Sequence, residues 1–335
     1  MLRSALLLLV TLLLVPAGQA QPLQAYRADA QAMGTTVAFT VYAPSAEQAQ
    51  ALFTEALTII EAVEQTLSTY RSTSLVSRLN AEAGAAQVTV DPAFAAFLQR
   101  SLAYSRQTDG AFDVTVGRLV EAWGFFRGEG RYPAADALAE ARQQTGWRHV
   151  VLDTEARTVH FERPGLRLDF GGNGKGYALD RVQQRWRTQG VTAALLVFGG
   201  SSIYAIGAPP DADGWRVDLP VVPGTAPTQV MLRDEGLATS GGAHRSFELD
   251  GRRYSHLLDP RTGQPVQGRV QVTASAPTAE AADVLSTALF VLGPRDAEAL
   301  LRATEATALF VEGTPERPRT QAVRWRVLAP NALDF

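Results

Sequence analysis

The 335-residue chain contains no cysteine, which removes disulfides, thiolate metal sites and thiol nucleophiles together. The same absence excludes a lipoprotein. Histidine is scarce, with four in the whole chain, so a catalytic imidazole has few candidates. No charge of one sign dominates: the formal net charge is -3, and the basic residues are scattered, which leaves no field for wrapping nucleic acid. Beyond the first twenty residues no apolar run is long enough to span a bilayer, and no internal repeat of fixed period occurs. With 46% hydrophobic residues, the length suffices for a core that needs no cross-links.

The first twenty residues have the pattern of an export signal. Arg3 supplies a positive start, residues 5–15 are almost wholly apolar, and residues 16–20 end in small side chains. Cleavage after Ala20 would leave residues 21–335 as a periplasmic protein. A permanent anchor is the other reading, against which the apolar run falls short of the ~20 residues a bilayer core requires.

Strand alternation begins at residues 35–42, where Val37, Phe39 and Val41 share one face before Pro44 stops the run. Ser45 then caps a helix whose apolar positions Ala49, Leu52, Ala56, Ile59, Ile60 and Val63 recur at helical spacing up to Leu67. A second helix is predicted over 92–107. Short strands follow at 149–152, 158–161 and 166–170, the first two joined as a hairpin through a turn at 153–157. Further strands are predicted at 194–198, 202–206, 215–219, 228–232, 246–249 and 270–274, with helices at 177–188 and 279–292. Strands grouped in hairpins, with helices between groups, predict an α+β fold with antiparallel or mixed sheets rather than a doubly wound parallel one. The Pro- and Gly-rich patches at 209–214 and 220–227 read as hairpin loops, not linkers, so one continuous catalytic unit is expected.

Three constellations carry chemistry. In the first, a strand ending at Asp169 and Phe170 runs into Gly171-Gly172-Asn173-Gly174-Lys175-Gly176 and then a helix. Glycines let backbone N–H groups approach a phosphate, the helix start favours anions, and Lys175 adds a full positive charge. Lys175 is followed by glycine rather than Ser or Thr, so this is no P-loop, and the spacing is not the dinucleotide fingerprint. A tight strand-to-helix turn with a solvated lysine is the other reading of these residues.

The second constellation is the 279–292 helix, whose core stripe is Ala281, Val284, Leu285, Ala288, Leu289 and Leu292. Asp283 and Thr287 lie opposite that stripe, four residues apart, and offer two hard oxygen ligands suited to Mg²⁺. They can also be read as a solvated face. Phe290 and Val291 flank the pair, however, which implies that this face is covered too, and a covered aspartate needs a cation or donors. In the third, Tyr254 to Gly263, a strand breaks into a Pro-Arg-Thr-Gly turn with His256 just before the break. A histidine there serves either as a general base or as structure. Met33-Gly34-Thr35 and Leu67-Ser68-Thr69-Tyr70 have the character to hold an aromatic ring or an adenine, or else to pack in the core. Residues 110–115 supply Asp113 as a polar anchor.

Taken in order, these segments resemble the ApbE family of FAD:protein FMN transferases. The resemblance runs from Met33-Gly34-Thr35 through Tyr70, Ala111-Phe112-Asp113, Leu168 to Gly172, Lys175 to Ala178, Thr239-Ser240-Gly241 and His256 to Ala282 through Thr287. It implies an α+β, T-fold-like architecture of largely antiparallel sheets with flanking helices, and a single domain over 21–335. It further implies that FAD is bound with Mg²⁺ on its pyrophosphate, that FMN is transferred to a Thr or Ser hydroxyl of a partner flavoprotein of a respiratory or electron-transfer complex, and that AMP is released. By the same resemblance Met33, Tyr70, Ala111, Phe112, Asp113, Asp169, Lys175 and Leu257 line the FAD site. Gly172 through its carbonyl, Asp283 and Thr287 hold the metal, and His256 is the base. The chain departs from the usual family pattern at Asn173-Gly174, where an apolar residue and alanine are more common, and at Ser201, where Asn often stands. Hydrolysis of FAD to FMN and AMP, or simple FAD carriage, are the rival functions.

Overall fold

Side-chain alternation builds the central sheet. In Thr35–Ala43 the residues Val37, Phe39, Val41 and Ala43 are buried while the residues between them are only partly so and Thr36 is exposed. In Ala193–Phe198, Ala194, Leu196 and Phe198 enter one core while Ala193 enters another on the opposite side. The computed structural model describes residues 22–126, 128, 130–220, 222–225, 228–242, 245–314 and 317–325, and the predicted export signal lies outside them.

The sheet has eight strands: Gln24–Ala32, Thr35–Ala43, Ala193–Phe198, Ser202–Gly207, Glu235–Gly241, Arg269–Ala276, Thr307–Thr314 and Arg317–Val323. Each pairs antiparallel with the next of these along the chain, so spatial order follows sequence order and everything else is inserted between neighbours. The largest insertion carries the helix Ala46–Leu67, capped by Ser45 as predicted, then Leu75–Glu82, Pro92–Gln107 and Gly174–Thr188. Helix Ala279–Leu292 bridges Arg269–Ala276 to Thr307–Thr314. The hairpin Trp215–Asp218 with Gln229–Leu232 covers the other side of the sheet, sharing a core with Ala193, Ile203, Ala205, Leu237 and Leu309. The α+β class and the antiparallel pairing agree with the sequence reading.

Local differences have identifiable causes. The predicted strand at 166–170 is irregular backbone, because its polar groups are satisfied elsewhere. The Asn80 side chain accepts from the Leu168 N–H at 2.7 Å and donates to the Leu168 carbonyl at 3.0 Å, while the Asp169 N–H donates to the Val114 carbonyl at 2.7 Å. A helix that the sequence reading did not predict, Leu75–Glu82, is started by Ser74 accepting from the Ser77 N–H at 3.0 Å. The strand Glu235–Gly241 lies mid-sheet although small, Gly-containing residues weaken its intrinsic preference; its two flanking strands supply the pairing.

Two helix starts are tied to each other. Asp180, in helix Gly174–Thr188, accepts from the N–H groups of Ala279 and Glu280 at 2.9 Å each, and Asp283, in helix Ala279–Leu292, accepts from the Gly176 N–H at 2.7 Å. Each carboxylate thus satisfies orphan donors at the other helix's N-terminus. The backbones meet so closely that a Cβ on Gly176 would stand 2.3 Å from the Ala279 carbonyl oxygen.

This arrangement crowds carboxylates. Burial pushes Asp180 up to about 6, and the Glu280 and Ala279 N–H groups oppose the rise. Burial likewise pushes Glu280 up to about 7, opposed by the Arg100 ion pair at 3.0 Å and reinforced by Asp180 and Asp283; Tyr104 faces the same cluster. A carboxylate with a raised folded pKa stabilises the fold below its unfolded pKa, and that contribution is lost as pH rises through the folded value. Glu280→Gln should therefore match the parent in stability near pH 4.5 and exceed it at pH 8 by up to roughly 3 kcal/mol, from the pKa conversion. Denaturant melts at the two pH values check this; a gap that does not change with pH counts against it.

Candidate active site

The glycine loop and the second helix converge. Lys175 stands in the first turn of Gly174–Thr188 and its ammonium donates to the Ser201 hydroxyl in a short hydrogen bond. Asp283 is buried, and besides the Gly176 N–H it accepts from the Ser202 hydroxyl at 2.7 Å. Burial raises its pKa, and Lys175, Ser202 and the Gly176 N–H work against that rise. Gly172 lies over the same spot: a Cβ there would meet Phe112 Cε2 at 3.0 Å and Thr287 Oγ1 at 3.6 Å. Ser240 Oγ connects Ser286 Oγ at 2.8 Å and Thr287 Oγ1 at 3.4 Å. Hence Gly172, Lys175, Asp283 and Thr287, far apart in sequence, form one polar floor.

The rim comes from other segments. Met33 and Gly34, both with positive φ, turn the first hairpin. The Met33 N–H donates to Glu64 at 3.0 Å, and its Sδ-methyl would touch a Cβ on Gly174 at 3.6 Å, as would Leu67 Cδ1. Asp169 accepts from the Gly171 N–H at 2.8 Å; burial raises its pKa, countered by that N–H and by the charge of Arg245, with Glu121 raising it further. Tyr70, 54% exposed, stacks on Phe126 at 5.0 Å and 7°. Ala111 is buried, its N–H held by the Thr108 carbonyl at 3.0 Å. Asp113 faces its own loop: it accepts from the Thr115 N–H and hydroxyl at 2.8 and 2.7 Å and from the Trp147 N–H at 2.9 Å, while burial raises its pKa. This carboxylate therefore shapes the segment that presents Phe112.

His256 follows the strand Arg252–Ser255, as the sequence placed it. Its N–H and its Nδ1 both lie on the Arg245 carbonyl, at 2.9 and 3.1 Å. A carbonyl only accepts, so Nδ1 carries a proton and the neutral ring has its lone pair on Nε2. The ring stands edge-on to Phe125 at 6.3 Å. Leu257 packs beside the core of Leu285, Leu289 and Phe290, and its carbonyl accepts from the Val266 N–H at 2.9 Å.

The sequence reading missed Ser202, which holds Asp283, and Asp180, which fixes the helix bearing Asp283. One signal was available for the floor: of 31 basic residues only Lys175 is a lysine. Among the described residues no group of three His, Cys, Asp or Glu side chains is arranged for a metal.

Known proteins are similar to this chain in sequence and fold. The family model described as the ApbE family matches residues 33–310. A protein of Treponema pallidum (strain Nichols), named FAD:protein FMN transferase, is 36% identical over 299 residues, covering 83% of this chain and 82% of that one. One of the same name from Escherichia coli (strain K12) is 31% identical over 291 residues, covering 84% and 82%. The crystal structure of the Pseudomonas stutzeri flavinyl transferase ApbE in its apo form superposes with a TM-score of 0.81 at 33% identity, covering 90% of this chain and 96% of that one. Sequence and fold thus lead to one assignment: the chain belongs to the ApbE family.

Proposed function

We propose that this protein is an FAD:protein FMN transferase that attaches FMN through a phosphoester to a Thr or Ser hydroxyl of a partner flavoprotein and releases AMP. The observation that carries the reading is the convergence of Lys175, Gly172, Asp283 and Thr287 on one polar floor. A buried carboxylate beside an ammonium at a helix start suits a diphosphate bridged by a cation.

The donor set fits Mg²⁺. Asp283, Thr287 and the Gly172 carbonyl offer hard oxygens, and with one carboxylate among them the remaining ligands would come from phosphate and water, the usual habit of that ion. When bound, Mg²⁺ would neutralise charge on the diphosphate oxygens. The chain's own residues do the rest. Lys175 sets a positive charge beside the phosphates, Phe112 and Met33 wall the loop, and Tyr70 offers a ring face at the rim. The acceptor hydroxyl forms a new bond to the FMN phosphorus as the bond to the AMP phosphate breaks, and Nε2 of His256 takes the hydroxyl proton. Residues 1–20 support export to the periplasm, where the acceptor would be a respiratory or electron-transfer flavoprotein.

Incubation of the protein with FAD, Mg²⁺ and an acceptor domain, with and without a chelator, tests this by intact mass. Flavinylated acceptor, lost with chelator, is expected; free FMN and AMP with unmodified acceptor would instead assign a pyrophosphatase. His256→Ala should lower transfer by about 10²–10⁴-fold with little change in FAD affinity; equal loss in both counts against the base. Lys175→Arg keeps the charge but exchanges a compact ammonium for a planar fork, and should weaken FAD binding by roughly tenfold or more. Flavin fluorescence titration reads this, and an unchanged affinity would show that charge alone matters there.

A further inference from the structure

The residues that orient His256 belong to a part of the fold the main sheet does not hold. Ser246–Leu249 and Arg252–Ser255 form a two-stranded ribbon whose strands, among the described residues, pair only with each other, and its closing pair is Ser246 with Ser255. Arg245 and His256 are the next residues out, so they form the foot of the ribbon, where the Arg245 carbonyl receives both the N–H and Nδ1 of His256. A two-stranded ribbon is marginal on its own, so its placement depends on side-chain contacts. Apolar ones come from Phe247, which lies 5.9 Å from Phe125 and stacks on Tyr254 at 5.2 Å. The polar tie at the foot is the Arg245 guanidinium, which donates a short hydrogen bond to the Phe125 carbonyl. Phe125 is also the ring edge-on to His256, and Phe126 stacks on Tyr70. The charge of the same guanidinium works against the burial-driven rise in the pKa of Asp169, two residues before the glycine loop begins.

We infer that Arg245 is a positioning residue for the reaction: its side chain anchors the foot of the ribbon on the Phe125 carbonyl, so that its own carbonyl holds His256 as the Nδ1–H tautomer with Nε2 presented to the acceptor hydroxyl. Without that anchor the foot keeps the His256 N–H bond and the ring packing but loses its guanidinium tie, so the Arg245 carbonyl is less firmly placed under Nδ1 and the neutral imidazole redistributes its proton between its two nitrogens. The inference rests on reading His256 as the base.

The test compares Arg245→Ala and Arg245→Lys with the parent. Nitrogen-15 histidine spectra report the tautomer directly, the His256 signals being assigned by their loss in His256→Ala. Transfer kinetics separate kcat from the KM for FAD, and thermal melts establish that each variant is folded. Arg245→Ala should show a mixture of His256 tautomers and a kcat lowered by roughly tenfold or more, with KM for FAD nearly unchanged. Arg245→Lys, which keeps one donor for the Phe125 carbonyl, should recover much of both. Should the alanine variant not fold, Arg245→Met, with an aliphatic stem and no donor, takes its place in the comparison. A single Nδ1–H tautomer at parental kcat in the variant without a donor overturns the proposal, as does a loss confined to KM, which would make Arg245 a substrate contact. If His256 is not the base, His256→Ala transfers at the parental rate while the tautomer still changes in the Arg245 variants, so the two failures are told apart.

Discussion

Everything in the polar floor depends on the exchange of carboxylates between two helix N-termini. Asp180 caps the helix that carries Asp283 and Thr287, and Asp283 caps the helix that begins with the glycine loop and Lys175. Neither helix can shift without breaking a buried bond to the other. The arrangement requires Gly176, because any side chain there would run into the Ala279 carbonyl. It also forces Asp180, Glu280 and Asp283 close together. The crowding is tolerable because each negative charge faces helix-start N–H groups or a cation, Arg100 on one side and Lys175 on the other.

That mutual capping places a buried, partly compensated negative charge beside a positive one and beside backbone donors. Asp283 is held by Gly176 and Ser202 yet each of its oxygens retains a second lone pair, so it can still face a cation. Lys175, tied to Ser201, is aimed rather than solvated. The floor therefore has both signs of charge within reach of one ligand, which is what a metal-bridged diphosphate presents.

The imidazole of His256, the proposed base, is built on different principles. Its support is a small ribbon, an aromatic cluster and one arginine, with no main-sheet strand involved. A rigid floor and a separately mounted base suit a reaction between a small substrate and a protein acceptor, since the acceptor must approach from outside while the phosphates stay fixed.

Local pattern was enough for much of this chain. Alternation in 35–42, the Ser45 cap, the helix at 92–107 and the stripe of 279–292 were legible because each is dictated by residues within a few positions. Asp283 and Thr287 could be paired by helical spacing alone, and the glycine loop marked itself by composition. The irregular run at 166–170 was not legible, since only the distant Asn80 decides where its backbone bonds go. Nor was the partner of any polar group: that Asp113 holds the Trp147 N–H, that Ser202 holds Asp283 and that the Arg245 carbonyl holds His256 follow from contacts across 34, 81 and 11 residues. The sequence by itself determined the strongly periodic helices and strands and which residue types could bear chemistry, because those depend on short-range periodicity and residue type. Only the tertiary structure decided which of them meet, because a hydrogen bond between distant segments is chosen by the packing of the whole sheet and its helices.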